Sequence, residues 1–152
     1  MVDFDILIRL GLALVLGGLI GLERRLHGHV AGPHTNGMVA FGAALFVMAG
    51  IVMAGDGAQR VLAQVATGIG FLAGGVILRD GFRVQGLNTA ATLWCAAAMG
   101  CMIGLGRLVL ATEATIMVVI GNSIYHWLEH RSIMLSKLPQ DIADIKNKTG
   151  TD

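Results

Sequence analysis

The chain has 152 residues, of which 55% are hydrophobic and 14% charged, and its formal net charge is +1. A soluble domain carries about 25% charged residues, so this chain has too few to cover a globule in water. A charge so close to zero leaves no electrostatic footprint for nucleic acid, and no nucleic-acid partner is expected.

Mean hydropathy is +0.71, and the apolar residues fall into five runs, at about 6–22, 38–54, 61–78, 88–104 and 108–128. Each approaches the roughly 17–25 residues that cross a bilayer as a helix. The loops between them are short, so sequential helices are expected as antiparallel neighbours. The expected fold is all-α: a polytopic membrane protein, a bundle of about five transmembrane helices. Asp3 and Asp5 stand where a signal peptide has basic residues, so none is expected.

Lysine and arginine set the expected direction. Arg9, Arg60 and Arg107 fall on one side; Arg24, Arg25, Arg79, Arg83, Arg131, Lys137, Lys146 and Lys148 fall on the other. The richer side is expected in the cytoplasm, with the N-terminus outside and the C-terminus inside. Residues 1–128 read as the transmembrane domain and 129–152 as a short polar cytoplasmic tail, a surface helix or disordered.

The 22 glycines suit helices that approach closely in lipid. Gly17 and Gly21, Gly70 and Gly74, and Gly100 and Gly104 are spaced four apart, and all three pairs are expected at helix contacts.

The fourth run opens with polar groups. Asn88, Thr92 and Cys95 share one helical face, and LRDGFRVQG just before it brings Arg79, Asp80 and Arg83 to the same membrane surface. Two readings stay open. Asn88 after a glycine is a helix cap, Asp80 a solvated loop residue and Cys95 a small buried hydrophobe; or the three line a pocket with Thr92. Glu113, early in the fifth run, either reaches water or pairs inside the membrane. His126 and His130 have a spacing that can hold one metal, but no carboxylate completes a metalloprotease motif. Ser123, Ser132 and Ser136 have no nucleophile-elbow context, so no enzyme is expected.

GLIGLERR at 18–25, AGPHTNGMVAFGAALF at 31–46, AQVATGIGFLAGGVILRDG at 63–81 and VQGLNTAATLWCAAAMGCMIGLG at 84–106, in this order and spacing, closely resemble the membrane domain of the MgtC/SapB family of bacterial inner-membrane proteins. The resemblance covers about the first 125 residues. It implies a five-helix, multi-pass inner-membrane domain, a link to magnesium-limited growth and, in some members, survival inside host cells. It implies non-enzymatic regulation of other membrane machinery, including the F-type ATP synthase or a magnesium transporter. The Asn of GLNTAATLW, which matters in the family, is Asn88; the acidic residue of the preceding loop is Asp80; the Cys after LW is Cys95. Thr92, and Glu23 and Arg24 of GLIGLERR, complete the expected contact residues. No cofactor is expected, with Mg²⁺ held open, and membrane lipid and further copies of the chain are expected partners.

Two departures stand out. His34 occupies the position where relatives usually have Arg, a weaker cation near neutrality. Many relatives continue into a soluble ACT-like domain, so the chain is expected to be a short form. The alternative is a small oligomeric Mg²⁺ transporter or channel with Asp80, Asn88 and Glu113 along its path.

Overall fold

A computed structural model describes residues 4–53, 56–80 and 83–149, with side chains described over the same residues except 80, 83, 130 and 132–149. In chain order come α1 (Phe4–Leu26), α2 (Pro33–Val52), α3 (Gly57–Gly75), β1 (Leu78–Asp80), β2 (Arg83–Gln85), α4 (Leu87–Gly104) and α5 (Leu108–Thr149). Each of the five helices overlaps one of the five expected runs, and α5 continues beyond its run to Thr149. Residues up to Val119 form one compact unit, and Ile120–Asp152 form a second.

Local chemistry sets the ends. After α1 the chain turns through Gly28 at φ +77. The Gly28 N–H donates to the Arg25 carbonyl (3.1 Å) and the His29 N–H to the Arg24 carbonyl (3.0 Å), the paired bonds of a glycine-terminated helix end. Gly106, φ +76, repeats the pattern after α4: its N–H donates to Ile103 and that of Arg107 to Met102, both at 2.9 Å. Pro33 opens α2, where its missing N–H and fixed φ are no handicap.

Between α3 and α4 lies an antiparallel hairpin that the spacing does not reveal, pairing Leu78 with Gln85 and Arg79 with Val84. It moves the third helix: α3 stops at Gly75, short of the run expected to reach residue 78. Ile77 and Leu78 are lost to the turn and hairpin, and Gln59 and Arg60 are gained at the front. Among the described residues, four helical stretches are consequently long and apolar enough to cross a membrane: Phe4–Leu26, Pro33–Val52, Leu87–Gly104 and Leu108–Glu129. α3 has the length, 19 residues or about 28 Å at 1.5 Å per residue, but not the apolarity.

The core lies between α1, α2 and α4. Ala13, Ile20, Ala40, Ala44, Ala96, Met99 and Ile103 are buried there, joined by Ala111 from the start of α5. With side chains this small the backbones nearly touch. A Cβ on Gly17 would fall 2.7 Å from the Asn36 carbonyl oxygen; one on Gly21 would overlap the Gly32 carbonyl; one on Gly104 would fall 2.7 Å from the Ala44 carbonyl oxygen. Two of the three expected glycine pairs are therefore helix contacts. Gly70 and Gly74 are not, because nothing lies within 4 Å of where their Cβ atoms would stand. α3 buries Ile69 and Ala73, which turns those glycines outward. The outer surface is apolar, with Phe71 86%, Val52 87% and Met117 68% exposed, a surface suited to lipid rather than water.

Candidate functional site

The contacts between helices fix which residues share a level. α1 and α2 are antiparallel, with Gly17 facing Asn36 and Ala40 and Gly21 facing Gly32 and Pro33. Followed on, that register sets Glu23 and Arg24 beside the segment leading into α2. α4 and α2 run parallel, with Gly100 on Ala40 and Gly104 on Ala44. Followed back, this register sets Thr92 level with Gly32, and Asn88 a turn further out. One end of the three-helix core thus collects a polar layer of Glu23, Arg24, Asn36, Thr89 and Thr92, all buried.

Buried polar groups must be hydrogen-bonded or they destabilise the fold. His27 Nδ1 is hydrogen-bonded to the Glu23 carbonyl oxygen at 2.8 Å and stands 2.8 Å from Glu23 Oε1, close enough for an ion pair when the imidazole is protonated. Asn36, fully buried, donates from Nδ2 to the carbonyl oxygens of Ala31 (3.0 Å) and Gly32 (3.1 Å). These bonds lock the segment that delivers the chain into α2. Sequence reasoning passed over Asn36; its signal was an amide one turn inside an apolar helix that opens with Pro. Thr92 Oγ1 donates 2.8 Å to the Asn88 carbonyl oxygen, one turn back along its own helix.

The expected residues divide accordingly. Glu23, Arg24 and Thr92 are interior. Asn88 is exposed, and Cys95 is half-buried further down α4. Asp80 is placed at the end of β1, paired in register with Arg83; its side chain lies outside the described residues. Asn88 is not the helix cap that an amide at the opening of an apolar helix suggested. The cap position is Gly86, with no side-chain cap bond, and Asn88 sits two residues beyond it. Gly86 has φ +90, and a Cβ there would overlap the Val76 carbonyl, so the hairpin's close return, rather than an amide cap, fixes where α4 begins.

Glu113 is exposed near the start of α5, at the end of α4 opposite the hairpin that carries Asp80. The 18 residues of α4 separate these ends by about 27 Å. Among the described residues no three His, Cys, Asp or Glu side chains gather as metal ligands would. His130 lies outside the described side chains, so the His126–His130 pairing does too. Beside them, the Arg131 guanidinium lies over the Trp127 ring, 5.2 Å from its centroid, a cation–π contact at the end of the last apolar stretch.

Helices that are apolar outward, packed through glycine and polar at one buried end, define an all-α polytopic membrane protein. A sequence profile of the MgtC family matches residues 10–131, and the chain belongs to that family. It is 42% identical over 139 residues to Protein MgtC of Salmonella typhimurium (strain 14028s / SGSC 2262), covering 91% of this chain and 59% of that protein. It is 49% identical over 113 residues to Protein MgtC of Brucella abortus (strain 2308), covering 74% of this chain and 48% of that protein. The chain thus spans about half to three-fifths of these curated relatives. No solved structure matches.

Proposed function

We propose that this protein is a non-enzymatic regulator in the bacterial inner membrane, linked to magnesium homeostasis and to growth under low magnesium or inside a host. It acts by contact with other membrane proteins, an ATP synthase or a magnesium transporter among them, and works as a homo-oligomer. The N-terminus faces out; the 129–152 tail and the Asn88 end of α4 face the cytoplasm. No cofactor is needed for this role, and the part of Mg²⁺ is that of a signal.

The observation that carries this reading is the contrast at the Asn88 end. The Asn88 side chain is exposed, while the Thr92 hydroxyl beneath it is engaged with the Asn88 carbonyl. Deeper still, Gly100 and Gly104 seal α4 against the α2 backbone. An outward amide above a shut seam suits a partner surface better than a conduit. The alternative, a Mg²⁺ transporter or channel, draws support from the carboxylates at both ends of the bundle, with a path built between copies.

The deciding experiment places the protein in nanodiscs and matched liposomes and titrates Mg²⁺, reading binding and flux for wild type, Asn88→Ala and Asp80→Ala. The regulator reading expects no protein-dependent flux. Flux that scales with protein and falls in both variants, with both folded, overturns it in favour of the transporter.

A further inference from the structure

An open groove of about 720 Å³ runs along α2 and α3, with Ala97 of α4 at its floor. Its volume falls within the ~300–1,000 Å³ of ordinary small-molecule sites. Met38, Phe46, Val61, Val65 and Leu72 supply apolar walls. It stays open because Gly42 and Gly68, one on each helix, have no side chain to fill it; a Cβ at either would meet nothing within 4 Å. At the foot it closes where Val61 packs over Gly50, with Val61 Cγ2 2.9 Å from a Cβ built there. Gln64 is the one amide on the wall, less than a turn from that foot. At the mouth stand His34 and Thr35, both exposed.

Length and charge together select an occupant. From Thr35 to Phe46 the groove follows α2 for about 17 Å, close to the ~15 Å depth of one leaflet's hydrocarbon. The mouth opens at the end of the bundle that holds the α1–α2 connection and the hairpin. That end carries four arginines, Arg24, Arg25, Arg79 and Arg83, against two carboxylates, Glu23 and Asp80. Arg25 and Arg79 are exposed there. A slot one leaflet deep, apolar along its length and opening at the arginine-rich end of the bundle, matches a lipid with a negative headgroup.

We propose that the α2–α3 groove is a binding site for one anionic phospholipid, its acyl chain lying between Gly42 and Gly68 and its phosphate held at the arginine-rich mouth. This site is separate from the Asn88 surface and does not rest on the regulatory reading.

The test uses the full chain in nanodiscs of mixed phosphatidylcholine and phosphatidylglycerol, followed by native mass spectrometry of the released protein. Wild type is expected to retain one phosphatidylglycerol per chain. Gly42→Leu and Gly68→Leu grow into the groove from positions where a Cβ meets nothing within 4 Å, so each is expected to fold as wild type and lose retention about tenfold, a change of roughly 1.4 kcal/mol. Replacing Arg25 and Arg79 by Gln is expected to remove the preference for phosphatidylglycerol while one lipid of either kind is still held. Equal retention in wild type and both leucine variants overturns the proposal. So does a wild-type dimer without lipid that either leucine variant turns into a monomer, since the groove would then hold a second copy.

Discussion

Gly100 of α4 and Ala40 of α2 meet backbone to backbone: a Cβ on Gly100 would overlap the Ala40 carbonyl oxygen and lie 2.9 Å from the Ala40 Cα. Both elements of the contact are backbone, so no side chain can rotate away. Gly100→Ala must push two helices apart and is expected to destabilise the bundle by about 1–3 kcal/mol. Gly70→Ala and Gly74→Ala, built into open space, are expected to be neutral or to stabilise by up to about 1 kcal/mol, because alanine is the better helix former. Reversible unfolding in mixed micelles compares all three, and equal losses would mean that α3 is packed against something in solution.

Asn36 carries a different burden. Its amide ties down two carbonyls at the entrance to α2 from a fully buried position. Asn36→Leu removes both bonds and is expected to lower stability by about 1–3 kcal/mol. Asn36→Asp, which puts an acceptor where the donors were, is expected to be worse. Hydrogen exchange of residues 29–36 should quicken in both variants, and unchanged exchange would show that the loop is held by other means.

Glu23 and His27 form a pair within one helix turn at a buried site. A double-mutant cycle of Glu23→Gln and His27→Ala is expected to return a coupling of about 0.5–3 kcal/mol. Additive losses would assign the burial of Glu23 to its other neighbours.

Asn88 and Thr92 separate function from stability. Asn88→Ala changes an exposed side chain and should leave stability within about 0.5 kcal/mol, while weakening capture of a crosslinked membrane partner. Thr92→Val removes a hydroxyl that serves only its own helix turn, and its loss should stay below about 1.5 kcal/mol. Partner capture unaffected by Asn88→Ala would move the contact surface elsewhere.

Gly28 and Gly106 share a left-handed conformation but not their surroundings. A Cβ at Gly28 meets nothing within 4 Å, whereas one at Gly106 meets Arg9 Nη1 at 3.0 Å. Arg9 is itself held by Asp5 at 2.7 Å. Gly28→Ala should therefore cost about 1–2 kcal/mol from backbone strain alone, and Gly106→Ala more. Equal losses in thermal unfolding would show that Arg9 yields freely.

Much of this architecture is legible from residue order. Continuous apolar runs betray membrane helices because backbone groups in lipid must bond within their own segment. The glycine pairs at 17 and 21 and at 100 and 104 marked true contacts by the same spacing that misled at 70 and 74. Spacing shows which residues share a face but not what that face meets. The hairpin escaped notice because three-residue strands carry no readable period. Its presence redrew α3 and took the cap position from Asn88. Asn36 escaped because an amide near a helix start looks the same whether it faces water or two buried carbonyls. Of the expected contact residues, Glu23 and Arg24 stood out in sequence only as charges at the end of an apolar helix. Their burial follows from the close approach of α1 to the segment that opens α2, where Gly21 meets Gly32 and Pro33, which no local pattern encodes.

The make-up of α3 bears on how the protein is made. With Gln59, Arg60 and Gln64 in its first half, α3 falls short of the apolarity that makes the four other described stretches fit to cross a bilayer. During synthesis it follows α2 after a four-residue gap, and Gly50 and Gly57 bring the two together closely enough that a Cβ on Gly57 would lie 2.5 Å from the Gly50 carbonyl oxygen. A hairpin held this closely covers part of the less apolar helix with the more apolar one, so a side chain placed at Gly50 or Gly57 is expected to hinder the seating of α3 beside α2.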